Sequence, residues 1–275
     1  MSDTPIPMPE EDRSPTIPEW LLQLKQVTPA RVLVGRAGPA YRTETYLSLK
    51  ADHAAARDAV QAELDIERDF PPGFAEEHRL FEVRSRATSK REYLLRPDLG
   101  RLLSTEGIER LKVECEPKAE LQVFIGDGLS ATAVATQVPV LLPMLIEEAR
   151  RAGWRIGRPF VVRYGRVGIL NEVGETLHPQ VAVLLIGERP GLLTAESLSA
   201  YMAYRPKAGD TDAQRNLVSN IYARGVSHEE ACRRILSLAD QMRHQQISGV
   251  TIKEELASPA LPGSASPQIS PPSPG

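Results

Sequence analysis

Four short runs in this sequence set glycines beside polar or charged side chains in patterns that can hold a ligand. Gly126-Asp127-Gly128-Leu129-Ser130-Ala131 follows an apolar run, opens a helical one and matches the loose dinucleotide fingerprint G-x-G-x-x-A. Glycines there let the backbone approach a phosphate at a helix N-terminus. The acid expected at the end of the next strand is replaced by Arg163 and Tyr164. Glu147 has roughly the right spacing of ~20 residues, but it falls on a helix. The plainer reading is a tight strand-to-helix turn lining a ligand crevice, and it is preferred. Gly187-Glu188-Arg189-Pro190-Gly191 comes directly off the most apolar strand. In open α/β sheets ligands bind just beyond such strand ends. Glu188 and Arg189 can pair with each other, or the loop can present them to a ligand; the second reading is preferred. In Tyr164-Gly165-Arg166-Val167-Gly168 the glycines imply close backbone approach, either to a ligand or to a neighbouring strand. The fourth run, TDAQRNLVSN at 211–220, reads as a polar connection between helices: a capped loop, or a hydrogen-bonding floor for a ligand.

Other chemistries lack their residues. There is no G-x-S-x-G elbow, P-loop or H-E-x-x-H. The five histidines (His53, His78, His178, His228 and His244) show no metal-ligand spacing. Cys115 and Cys232 form neither a disulfide framework nor a zinc-type pair, so a reducing cytoplasm fits best. A formal net charge of −3 over 275 residues leaves no electrostatic footprint for nucleic acid. No basic run suggests a membrane surface, and no apolar run is long enough to span a bilayer.

Those loops must be positioned by a sheet and its helices. LQVFIGD (121–127), FVVRYG (160–165) and VAVLLIG (181–187) read as buried strands separated by helical stretches. The expected fold is therefore α/β, a Rossmann-like parallel sheet flanked by helices. Residues 130–152 are expected to be helical, with Pro139 and Pro143 bending the start. Ser197 to Tyr204 and His228 to His244 are expected as further helices. Ahead of the sheet, residues 31–117 read as mainly helical: 42–49 extended, His53 to Leu64 helical, and a helix capped by Asp98 running from Leu99 to about Cys115. Residues 118–255 form the α/β ligand-binding part. Residues 1–30 are a tail with a short amphipathic helix, whose stripe is Ile17, Trp20, Leu21 and Leu24. That helix either packs on its own domain or docks a partner or an enclosing shell. Residues 1–15 and 256–275 lack core-forming side chains and are expected to be disordered.

The same segments carry a family resemblance. IGDGLSATAV, VRYGRVGI, LLIGERPGL and TD-x-x-RN-x-x-SNI occur in this order, with LVGRAG at 33–38, HAAARDAV at 53–60, YLLRPDLGR at 93–101 and SGV at 248–250. Together they resemble the small subunit of ethanolamine ammonia-lyase over about residues 31–252. The resemblance implies an enzyme that converts ethanolamine to acetaldehyde and ammonia by adenosylcobalamin-dependent radical chemistry. It implies a large-subunit partner that binds the substrate, and a small subunit that supplies part of the corrinoid pocket. It also implies location in the cytoplasm, or in a microcompartment lumen where the host has one. Matched position by position, the cofactor contacts fall on Val167 after Y-G-R, Glu188 in G-E-R-P-G, and Leu217 before the V-S-N-I run. The family has a cysteine at the last position, and leucine keeps dispersion contact but loses the thiol. Catalytic residues and metal ligands are not expected in this chain. On this basis Glu188→Gln should weaken cofactor affinity about tenfold, at ~1.4 kcal/mol per decade, and leave the fold nearly unchanged.

Overall fold

The computed structural model describes residues 19–20, 22–23, 35–191 and 194–252. Both expected tails and most of the first amphipathic stripe lie outside the described residues. Of that stripe only Trp20 is described; it is helical and 63% exposed.

A six-stranded sheet forms the core: β3 (Glu82–Arg84), β4 (Leu121–Gly126), β5 (Val161–Arg163), β6 (Val181–Gly187), β7 (Leu198–Tyr204) and β8 (Asn216–Ile221). Their spatial order is β3-β5-β4-β6-β7-β8. The first four run parallel, whereas β7 and β8 are antiparallel additions to the β6 edge. Strand alternation assigns the faces. Val181, Val183 and Leu185 of β6 pack with Leu121, Val123 and Ile125 of β4 under α6 (Ala131–Arg151) and α8 (His228–Gln245). Ala182, Leu184, Ile186 and Phe124 point the other way, under α5 (Thr105–Glu114) and α7 (Ile169–Leu177). Burial on both faces is why these strands read as unbroken apolar runs. Pro139 and Pro143 both fall inside α6.

β3 comes from the first hundred residues yet pairs with β5 in this sheet. Ahead of it stand a short hairpin, β1 (Arg36–Ala37) with β2 (Ala40–Tyr41), and α1 (Thr43–Gln61), which buries no residue. Small elements follow: α2 (Ile66–Asp69), α3 (Phe74–Glu77) and α4 (Lys90–Leu95). No helix among the described residues is long and apolar enough to cross a membrane.

Four expectations are corrected. Residues 43–49 are helical, because the alanine-rich stretch behind them propagates one helix back to Thr43. The helix expected from Leu99 to Cys115 is broken. A 3₁₀ turn at Leu99–Arg101 is followed by an extended Leu102-Leu103, and Ser104, not Asp98, caps α5 by accepting from Gly107 N. Ser197–Tyr204 is a strand: pairing with β6 along its whole length overrides the helical preference of its alanine, leucine and methionine. The 211–220 run is a 3₁₀ turn at Asp212–Gln214 leading into β8, not a link between helices.

Candidate functional site

A cleft of about 900 Å³ opens at the carboxyl ends of β4 and β6. It exists because the antiparallel pair is covered on one face only. Leu198, Ala200, Met202 and Val218 are buried with α8, whereas Ser199, Tyr201, Leu217 and Ser219 face the cleft. Leu217 is 42% exposed, unusual for a leucine in a paired strand. The opposite wall is the 166–168 loop with α7, and the end wall is Gly128 and Leu129. Val167, Glu188 and Leu217 all line this one cleft. None of the five histidines lines it. Among the described residues no three of His, Cys, Asp and Glu gather as metal ligands.

The glycine loop is a packing device. A Cβ on Gly128 would sit 2.3 Å from Gly187 O, and Gly128 has φ +58°; a Cβ on Gly187 would sit 2.0 Å from Ser130 O. Leu129 N donates to Gly187 O (3.1 Å), and Ser130 Oγ caps α6 by accepting from Ala133 N (3.1 Å). Two of the backbone donors that a dinucleotide phosphate could take are thus engaged within the chain.

Asp127 in the same loop escaped the sequence reading. It is 1% exposed, and its carboxylate accepts from Tyr164 N (2.9 Å) and Gly165 N (3.1 Å). Those amides belong to the turn that precedes Arg166-Val167, and Tyr164 has φ +57°. Burial pushes the Asp127 carboxyl up to about 6, opposed by these hydrogen bonds and by Lys90. Lys90 is 6% exposed, its Nζ makes no hydrogen bond, and burial lowers its pKa. Of the glycines around Arg166, Gly168 serves a neighbouring segment, the 3₁₀ turn, whereas Gly165 packs against Val162 of β5. A Cβ on Gly168 would sit 2.8 Å from the Arg101 side chain, and Arg166 N donates to Gly100 O (2.7 Å). The Arg166 guanidinium lies 4.4 Å from the Tyr93 ring centroid and donates to Tyr93 O (2.9 Å).

Glu188 does not pair with Arg189. Its carboxylate accepts from Ser197 Oγ (2.9 Å), Ser199 Oγ (2.6 Å) and Asn220 N (3.0 Å), clamping β6 to β7 and β8. Mistaking β7 for a helix concealed both serines. Glu188→Gln retains one acceptor oxygen and should therefore lower stability by about 1–3 kcal/mol, not leave it unchanged. Arg189→Met, at an exposed position, should be silent in thermal melts. A Gln variant that melts with the wild type would remove the clamp.

Fold and site together define a class: an α/β protein whose ligand cleft lies beyond parallel strand ends and over the bare face of an antiparallel pair. A family model described as ethanolamine ammonia-lyase light chain (EutC) matches residues 18–253. The chain belongs to that family. It is 39% identical over 235 residues to an ethanolamine ammonia-lyase small subunit from Clostridium acetobutylicum, covering 86% of this chain and 95% of that one. It is 40% identical over 243 residues to another from Fusobacterium nucleatum, covering 88% and 80%.

Proposed function

We propose that this chain is the small subunit of an adenosylcobalamin-dependent ethanolamine ammonia-lyase, active only with a separately encoded large subunit that binds ethanolamine. In this reading the cleft is part of the corrinoid pocket. The observation that carries it is convergence: Val167, Glu188 and Leu217, from three separate segments, line one cleft. A corrinoid is large and amphipathic, and it needs apolar walls beside a few fixed polar groups. Leu129, Val167, Ile186 and Leu217 are such walls; Asn171, Tyr201 and Ser219 are polar groups between them. A whole corrinoid is larger than this cleft, so its remaining faces fall to the large subunit. When bound, the cofactor supplies homolysis of its cobalt–carbon bond. The residues of this chain bind and orient it and keep water from its covered face. Glu188 acts mainly through the strand clamp, holding the floor on which Leu217 stands. Asp127 acts through the turn that carries Val167. The parallel β4-α6-β5 unit is read as Rossmann-like, adapted by β7 and β8 to a ligand wider than a dinucleotide. The enzyme is placed in the cytoplasm, or in a microcompartment lumen where the host has one.

The deciding assay is co-production with the neighbouring large-subunit candidate and measurement of acetaldehyde formed from ethanolamine, with and without adenosylcobalamin. Activity should require both chains and the cofactor. Turnover by the purified single chain would overturn the reading. Leu217 offers a sharper probe, because its exposure lets it change without disturbing the core. Leu217→Asp should weaken apparent cofactor affinity about tenfold or more, since a carboxylate facing an apolar ring must lose its hydration. Leu217→Cys should stay within a few-fold of the wild type. Equal cofactor titrations for Leu217→Asp and wild type would remove this residue from the pocket.

A further inference from the structure

We infer that the opposite edge of the sheet carries a second ligand site, for a phosphate-bearing small anion. A cleft of about 500 Å³ there, within the range of small-molecule sites, is lined by Lys118, Arg155, His178, Arg205 and Lys207. Among the described residues the one acid lining it is Glu175, and Glu175 Oε1 already accepts from Ala208 N (3.0 Å). A chain of formal net charge −3 thus gathers four permanent cations and a histidine in one hollow. Several arginines elsewhere are matched with acids, as in Arg151–Glu147, Arg158–Glu114, Arg163–Glu82 and Arg233–Glu230. Among the described residues none of these five side chains pairs with a carboxylate; the backbone N–H groups of Arg155 and Lys207 donate to Glu120 Oε2 (2.8 Å) and Asp210 Oδ2 (3.0 Å). Arg205 lies 5.3 Å from the Tyr204 ring centroid, and Arg155 donates to Lys118 O.

The backbone beneath them adds an independent observation. Lys118, His178 and Arg205 all have left-handed φ, at 63°, 51° and 42°. Glycine or asparagine fits that region at less cost, so the local fold gains nothing from a long cationic side chain there. Two separate segments place a permanent cation at such a position and a third places a histidine, and the three converge. Lys118 N donates to Leu177 O (2.7 Å), Gln180 N to Ala119 O (2.9 Å) and Arg205 N to Gln180 O (2.8 Å), joining the segments into one rim. A Cβ on Gly174 would sit 1.8 Å from Pro206 O, so the 205–207 segment is seated directly on α7. Like charges held together on a fixed rim destabilise the free protein, and an anion relieves that repulsion. Lys118 and Gln180 lie just before β4 and β6, and Arg205 just after the antiparallel β7. The site is therefore at the opposite strand ends from the corrinoid cleft and does not depend on the function proposed for that cleft.

The test is calorimetric titration of the full-length chain with inorganic tripolyphosphate at low and high salt. Saturable binding that weakens with salt is expected. Lys118→Gly and Arg205→Gly should each weaken it about tenfold, while melting temperatures hold or rise because glycine relieves the left-handed backbone. Absence of saturable binding would overturn the inference. So would binding that both glycine variants retain unchanged.

Discussion

Replacing Asp127 by alanine is expected to cost on the order of 3–5 kcal/mol, the range for removing one partner from a buried charged network. The substitution leaves Tyr164 N and Gly165 N without acceptors in a dry interior and removes a carboxylate that favours the charge of Lys90. At 2–4 °C per kcal/mol for a chain of this size, the melting temperature should fall by roughly 10 °C. On the function proposed above, cofactor affinity should fall as well, because the freed turn carries Arg166 and Val167. Asp127→Asn supplies the pH signature. The folded-state carboxyl titrates near 6 against 3.8 for the exposed group, raised chiefly by burial. A raised pKa means that the folded protein holds the proton more tightly. The stability contributed by the protonated acid is therefore full below about 3.8 and is lost as pH rises through about 6. That interval corresponds to about 3 kcal/mol. The advantage of wild type over Asp127→Asn should accordingly shrink between pH 4 and pH 7.5. Denaturation curves at the two pH values check this, and a constant difference would mean that Asp127 titrates like an exposed acid.

Gly187→Ala should be nearly as damaging, for a steric reason. The added Cβ would meet Ser130 O at 2.0 Å, and both atoms are tied to backbone that cannot yield cheaply. The loss should reach about 3 kcal/mol or more, at the upper end of overpacking, because the strand end and the α6 cap separate together. Gly191 in the same motif is the control. A Cβ there would find its nearest neighbour at 4.0 Å, so Gly191→Ala should melt within a few degrees of wild type. If the two glycines instead served a ligand in common, both alanine variants would melt normally and lose cofactor binding alike. Melting curves of the unliganded variants separate the two cases.

Both predictions rest on contacts between loops far apart in sequence, and that marks how much was legible beforehand. The parallel strands were legible, because burial on both faces leaves apolar runs that local pattern displays. So were α6 and α8, from their apolar spacing. The three cleft positions came from family motifs rather than from residue chemistry, and the structure places all three on one cleft. β7 was not legible. Leu198, Ala200 and Met202 alternate with Ser199, Tyr201 and Ala203, a period of two that was there to find. Helix-favouring residue types masked it, and only the partner strand β6 decides the matter. The break after Arg101 was equally hidden, since the 3₁₀ turn before it packs at Gly100 against Tyr164 and Arg166, far away in sequence.

By itself, then, the sequence determined the elements that depend on near neighbours: apolar strands, the two long helices α6 and α8, tight glycine turns and family membership. Tertiary structure alone decided which face of β7 and β8 stays bare and that Glu188 serves as a clamp. It also decided that Asp127 is spent on backbone amides rather than presented to a ligand. The reason is range. Helix and strand patterns are written by residues a few positions apart, whereas a cleft wall, a buried acid or a glycine contact is defined by atoms from segments tens of residues away. Their pairing costs chain entropy, and only the completed core recovers it.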